Sequence, residues 1–527
     1  MGHEIVQGLP STHGDTYQLN TTTLIRHSAR TYPEQQIVYR TTDGGWDRYT
    51  YADAYSRIMR SANALRSLGV GPADVVGILD WNSKRHFELY WAIPPGLAAV
   101  MLQMNLRLAP EDLGYVTDHS GASVVLVDES LLPVAEVLAP PITKVTTWVV
   151  MTDKPMSQIA TNLPGAVHWE DLVDAAESRI EWPVIDEHST YSACYTTGTT
   201  GRPPKGIYYS HRGIYLHTLS QAANLGMRSD DTAMLITPMF HGQSWGATPP
   251  VRSVQRGEDR AARPLRRRGH LGTGRCDDLR RGHRRQRRTS DLPAHARLHQ
   301  DTRPGTRFPP HPPAVRCNRT RPIVDARLLR AHRRRRHPRL RRHRDHPPGG
   351  DHQRCCETML RDTISDEQKW DLKRSQGLPV NGIDIRLVDS GGNDLPHDGI
   401  SQGEVLLRGP WIIERYHKLD DDADRFLDGY WRSGDVGRID TNGYLKLTDR
   451  LKDVIKSGGE WISSIDMENA LVGHPKIKEA AVIGVSHPKW QERPVALVVT
   501  VDGEELDLTE ITACLMASSP SGSYPTP

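Results

Sequence analysis

No disulfide framework, membrane span or secretory leader is expected from the residues of this sequence. Six cysteines in 527 residues are too few for a disulfide scaffold, which predicts a reducing, cytoplasmic setting. No apolar run approaches the roughly 18 residues that a spanning helix needs, and the N-terminus carries no signal-peptide core. No transmembrane segment is expected, which leaves only peripheral contact with a membrane surface open. Lysine is missing from one long stretch: residues 251–356 hold 31 arginines, nine acidic residues and no lysine, tryptophan, tyrosine or methionine. That stretch has a formal charge of +22 although the whole chain has +3, so the remainder is strongly acidic. Four of the six cysteines also lie there, with no metal-ligand spacing among them or the neighbouring histidines.

What is present alternates apolar strands with amphipathic helices. The length allows two or more domains and a large core. A helix is expected near Thr21–Arg30 and a strand over Gln36–Tyr39. Thr50 and Asp53 open a second helix as a capping box, with Tyr55, Ile58, Met59, Ala62 and Leu65 at helical spacing. Strands are expected at Val75–Leu79, Ser123–Val127, Val145–Met151, Ser189–Tyr195 and Thr232–Ile236, and helices over Lys84–Ile93 and from Pro110. This alternation predicts a parallel, layered α/β sheet. Further helix signal lies at Asp366–Lys373, and strand signal at Ile383–Val388, Gly403–Gly409, Ala480–Val485 and Ala496–Val501.

The chemistry centres on Thr196–Gly206, TTGTTGRPPKG. Glycines let backbone N–H groups approach phosphate oxygens, the hydroxyls of Thr196, Thr197, Thr199 and Thr200 add donors, and Lys205 adds a mobile cation. Gly206 follows the lysine where a Walker A loop needs Ser or Thr. On its own the string reads equally well as a mobile Gly/Pro surface loop.

The loop nevertheless resembles the phosphate loop of the adenylate-forming enzymes, among them the acyl-CoA ligases; two prolines, Pro203 and Pro204, stand where that family usually has one. The resemblance implies an α/β fold: a large layered N-terminal domain with parallel sheets (20–450), a small α+β C-terminal lid domain (451–527) and a hinge at 450–452. It implies that Thr196, Thr197, Gly198, Thr199, Thr200, Gly201 and Lys205 hold the phosphates of ATP. Pro238–Gly246, PMFHGQSWG, is similar to the family's carboxylate-pocket stretch and places His241 near the acyl group. Asp428–Asp435, DGYWRSGD, carries Asp435 in the place of the aspartate that bonds both ribose hydroxyls. Gly443–Asn469 resembles the hinge motif: Arg450 matches an arginine on ribose and phosphate, and Lys452 sits at the hinge. Gly458 and Gly459 match the turn that lines the pantetheine channel, and the wording around them places Trp461 near the coenzyme A channel rather than as a plain core aromatic. The GGEWISS wording is similar to fatty acyl-CoA ligases, implying ATP, Mg²⁺, coenzyme A and a fatty acid or similar carboxylic acid as reactants. An enzyme adenylating an aryl acid or loading a carrier protein is the alternative within the family.

For residues 251–356 two readings compete. One is a basic arm for nucleic acid or another anionic surface. The other is coding sequence read out of frame, since GC-rich codons read off-frame yield arginine, proline, alanine and glycine. Back-translating Asp291–Gln300 and shifting by one base permits IFLPMLDYIR. The same shift at Leu340–Pro347 permits YGGTETTP, which resembles the family's adenine and magnesium motif. Two hits in one frame and in the right order favour the off-frame reading, with 251–356 unstructured and no specific nucleic-acid partner. A second change near Ala513–Ala517 is expected, because Ser519–Thr526 in another frame permits AVWKLPDA. The lid domain is then cut short, and the family's late catalytic lysine has no counterpart. The chain as written is expected to adenylate poorly.

Overall fold

Uninterrupted runs of β-branched and aliphatic residues become strands buried on both faces. The computed structural model of the chain describes residues 6–12, 16–41, 44–196, 203–227, 229, 231–235, 237–245, 252–255, 315–317, 365, 372, 375–457, 460–502 and 504–518. Its largest sheet runs in the order Val167–His168, Thr147–Met151, Ala122–Asp128, Val75–Leu79, Val100–Gln103, Thr190–Tyr195 and Gly206–Ser210. All neighbours in it are parallel except the last pair, an antiparallel hairpin. Side-chain alternation divides the core between the two faces. Val76 and Ile78 pack with the helices Tyr51–Ser67 and Lys84–Ala92, whereas Val75 and Leu79 pack with Pro110–Ser120 and Leu132–Leu138. Helices on both sides of a mostly parallel sheet are the layered α/β class expected from the pattern.

The capping box forms as read. Asp53 N–H donates to Thr50 Oγ1 at 3.1 Å and Thr50 N–H donates to Asp53 Oδ2 at 2.9 Å. The core stripe of that helix is shifted from the expected one: Tyr51, Ala54, Ile58, Ala62 and Leu65 are buried, and Tyr55 is only partly so. Tyr55 instead stacks on Trp182, with ring centroids 5.6 Å apart.

A second sheet runs in the order Val315–Cys317, Thr232–Leu235, Arg252–Gln255, Gln36–Arg40 and Trp46–Thr50. Two of its strands come from 251–356, where the sequence shows no strand periodicity and no structure was expected. Backbone pairing explains the difference: both segments lie parallel to Thr232–Leu235, and ladder bonds use N–H and C=O groups that every non-proline residue carries. The rest of 251–356 lies outside the described residues, as does nearly all of Asp366–Lys373.

A third, antiparallel sheet joins Asp384–Val388, Gly403–Arg408, Tyr430–Ile439 and Phe426–Leu427, with Leu445–Arg450 paired to Tyr430–Ile439. Beyond residue 451 a fourth sheet, Glu460–Ile462, Ile455–Ser457, Gln491–Thr500 and Ile477–His487, is also antiparallel. The helix Ser464–Val472 supplies Met467 and Leu471 to a core with Ile455, Ile462, Ile477 and Val482. This is a small α+β unit, as read from the sequence. Among the described residues no helix is long and apolar enough to cross a membrane.

Candidate functional site

The phosphate-loop candidate grows from the hairpin at the edge of the large sheet. Thr190–Tyr195 is mostly buried and leads into Thr196, which is itself buried. The chain returns at Lys205 and Gly206–Ser210. Two hydrogen bonds close the neck: Thr196 N–H donates to Lys205 O and Lys205 N–H donates to Thr196 Oγ1, each at 3.0 Å. The first threonine of the motif thus uses its hydroxyl to shut the loop at its base. Gly206 packs closely, since a Cβ there would lie 3.0 Å from the Tyr195 ring and the ring would have to give way slightly. Thr197, Gly198, Thr199, Thr200 and Gly201 lie outside the described residues.

Asp435 and Arg450, fifteen residues apart in sequence, are direct cross-strand partners in the third sheet. Arg450 Nε is 3.7 Å from Asp435 Oδ1, and both side chains are largely buried. Gly434 has φ +66°, which a side chain would resist, and its carbonyl accepts from Leu451 N–H at 3.0 Å. That bond folds the residue after Arg450 back onto the strand bearing Asp435. Lys452 follows in a turn, with its side chain 54 % exposed and Nζ 3.9 Å from Asp453 Oδ1. The structure therefore gathers Asp435, Arg450 and Lys452 at one edge of the third sheet.

Trp461 lies in the next sheet, opposite Lys456, whose Nζ is 5.8 Å from the Trp461 ring centroid. Ser457 pairs with Glu460 across the turn of that hairpin; Gly458 and Gly459 between them lie outside the described residues. His241 is half-buried in the turn that follows Thr237. That turn is clamped from the large sheet by Asn82, which accepts from Met239 N–H at 2.7 Å and donates to Thr237 O at 2.9 Å. Trp245 Nε1–H donates to Met239 O at 3.0 Å, and Tyr90 O–H donates to the same carbonyl.

Asn82, Asp449 and Tyr416 were not singled out by sequence reading. Asn82 follows a buried strand and precedes a helix, but the backbone groups it bonds lie 155 and 157 residues further along the chain, which no local signal marks. Asp449, beside Arg450 in TDR, accepts from Ser464 N–H at 2.7 Å and Ser464 Oγ at 2.8 Å, while Ser463 Oγ–H donates to Thr448 O at 2.9 Å. Tyr416 carries no motif signal at all. Asn82→Ala is expected to lower stability by about 3 kcal/mol, since two buried backbone groups lose their partner; urea unfolding measures it. Asn82→Asp keeps the bond from Met239 but turns a carboxylate oxygen onto the Thr237 carbonyl in a buried site, so it should cost at least as much as Asn82→Ala.

Among the described residues no group of three or more His, Cys, Asp or Glu side chains could hold a metal ion. What the arrangement offers is a closed loop neck with a lysine, and a buried carboxylate paired to an arginine beside an exposed turn.

Comparison with known proteins assigns the two ends of the chain. The model of the family described as AMP-binding enzyme matches residues 25–252, ending where the arginine-rich stretch begins, and that of the AMP-binding enzyme C-terminal domain matches residues 466–520. The chain is 34% identical to a 3-methylmercaptopropionyl-CoA ligase of Ruegeria lacuscaerulensis, over 94% of this chain and 90% of that protein. It is 33% identical to a long-chain-fatty-acid–CoA ligase of Thermus thermophilus, over 95% and 89% respectively. A crystal structure of an anthranilate CoA ligase in complex with anthranoyl-AMP superposes with a TM-score of 0.66 at 20% identity, covering 97% of this chain and 92% of that one.

Proposed function

The chain belongs to the AMP-binding enzyme family, as an acid–thiol ligase using ATP and coenzyme A, and from that premise we propose that its acid is a medium- or long-chain fatty acid. The observation that carries this reading is the 33% identity to a long-chain-fatty-acid–CoA ligase over nearly the full chain. The GGEWISS hinge wording, with Trp461 beside the turn, supports it.

The reaction runs in two steps. The carboxylate attacks the α-phosphorus of ATP, forming an acyl-adenylate and releasing diphosphate. The thiol of coenzyme A then attacks the acyl carbon and expels AMP. Little covalent help is needed, so rate comes from positioning and charge neutralisation. In this reading Thr196–Gly201 and Lys205 hold the β- and γ-phosphates, and Mg²⁺ arrives on the triphosphate as part of the substrate. Asp435 accepts both ribose hydroxyls, Arg450 reaches ribose and phosphate, and His241 stands by the carboxylate. The lid turns about Lys452 between steps and brings Gly458, Gly459 and Trp461 to the pantetheine arm.

We further infer that 251–356 is off-frame, so that the version able to turn over is one with the frame restored. That version, offered octanoate, palmitate, cinnamate and 3-methylmercaptopropionate, is expected to form acyl-CoA fastest with the first two. A higher kcat/KM for 3-methylmercaptopropionate would overturn the fatty-acid reading and favour a short thioether acid, the substrate class named for the Ruegeria relative.

A further inference from the structure

We propose that Tyr416 is a positioning residue for Lys205 and, through it, for the terminal phosphates of ATP. The proposal rests on the reading of Lys205 as part of the phosphate cradle. Lys205 Nζ lies 5.4 Å from the centroid of the Tyr416 ring, inside the roughly 6 Å over which an ammonium is attracted to an aromatic face.

The ring is a fixed platform. Tyr416 is only 4% exposed. Its hydroxyl accepts from Trp431 Nε1–H at 3.1 Å, and its backbone N–H donates to Asp422 Oδ2 at 2.9 Å. Trp431 belongs to the strand that carries Asp435, so one side chain bridges the ribose-side strand and the phosphate-loop lysine. The segment is also zipped to the loop's exit. His417 N–H donates to Gly206 O at 3.0 Å, and the His417 ring stacks on Tyr208 with centroids 3.9 Å apart. Burial holds the His417 imidazole below its usual pKa, which favours the neutral ring that stacks on Tyr208.

A lysine needs such a platform here. Its four-carbon stem has many rotamers, and fixing the ammonium at the moment of binding would cost entropy. A ring packed at folding bears part of that cost in advance, which is preorganisation. The competing role for Tyr416 is plain core filling, with the Trp431 bond and a 6.4 Å contact with the Phe426 ring as its whole purpose. The two roles differ in which nucleotide they affect, because AMP lacks the phosphates that Lys205 is read to hold.

The test is equilibrium titration calorimetry of ATP and of AMP with the full chain, unaltered and as Tyr416→Phe, Tyr416→Leu, Lys205→Ala and the double variant Lys205→Ala/Tyr416→Leu. Tyr416→Leu should weaken ATP about fivefold and leave AMP within about twofold, the size of a partly desolvated cation–ring contact. Tyr416→Phe keeps the ring face, so it should bind ATP like the unaltered chain while melting earlier, because Trp431 loses its acceptor. In the Lys205→Ala background, Tyr416→Leu should weaken ATP no further, since the two residues act as one unit. Should Tyr416→Leu not fold, Tyr416→Met, apolar and of similar reach, takes its place in every comparison. Equal weakening of ATP and AMP, undiminished weakening without Lys205, unchanged ATP affinity in Tyr416→Leu, or Tyr416→Phe as damaging as Tyr416→Leu would each overturn the proposal. If the unaltered chain binds AMP but gains nothing from the extra phosphates of ATP, the cradle reading falls first and this proposal with it.

Discussion

Fatty-acid-dependent exchange of pyrophosphate into ATP should be at least about 100-fold slower for the chain as written than for a version with the frame restored across 251–356 and after about residue 515. Removal of a single group aimed at developing charge commonly costs a factor of about 100–1,000. In the off-frame reading, that stretch covers the family's adenine and magnesium motif, and the altered C-terminal stretch covers a lysine on the carboxylate and α-phosphate. Neither loss touches the neck formed by Thr196 and Lys205 or the Asp435–Arg450 pair. The adenine contacts go with the same motif, so the expected signature is weakened nucleotide binding with exchange lost. Exchange by the unaltered chain at a rate near that of the restored version would sink the off-frame reading and return the arginine-rich stretch to the status of a genuine basic arm. Such an arm would bind DNA or RNA with an affinity that falls steeply as salt is raised.

Asp435→Ala is expected to weaken ATP binding at least about 100-fold. In the role proposed for it, the carboxylate accepts two ribose hydroxyls, and hydrogen bonds to a charged acceptor contribute about 1.5–3 kcal/mol each, with each 1.4 kcal/mol worth about tenfold in affinity. The substitution also removes the partner of a largely buried Arg450, so some loss of melting temperature will accompany it. The contrast of ATP with 2′-deoxy-ATP separates the two effects. The unaltered chain should prefer ATP by about tenfold, the value of one such bond, and Asp435→Ala should treat both nucleotides alike. A variant that still discriminates against the deoxynucleotide would place the ribose elsewhere.

The large sheet was legible because strands covered on both faces read as continuous apolar runs, as Val75–Leu79 and Ala122–Asp128 do. The capping box at Thr50 and Asp53 was legible because it is local chemistry. The strand Tyr430–Ile439 was much less so. Its Arg-Ser-Gly-Asp interior breaks the apolar alternation, and what extends it is pairing with Gly403–Arg408 and Leu445–Arg450. Asp435 and Arg450 could be named from a motif, but their meeting is a fact of register, and spacing along the chain does not encode it. Tyr416 was invisible for the same reason: the segment WIIERYHK has no pattern, and its meaning lies in Lys205, more than two hundred residues earlier.

The clasp around residue 449 sets a condition on any movement of the C-terminal unit. Asp449 precedes the turn at Lys452 and Ser464 follows it, yet the carboxylate holds both the backbone N–H and the hydroxyl of that serine. Turning the unit about Lys452 must first release those two bonds, and the Ser463–Thr448 bond beside them. Together they weight the present orientation by about 3–5 kcal/mol, which leaves the turned one populated at roughly 1% or less until something repays the difference. A ligand can move that balance only through contacts it makes better in the turned state. Occupancy of the second orientation would then measure how differently the two ends of the reaction are bound, read through three hydrogen bonds.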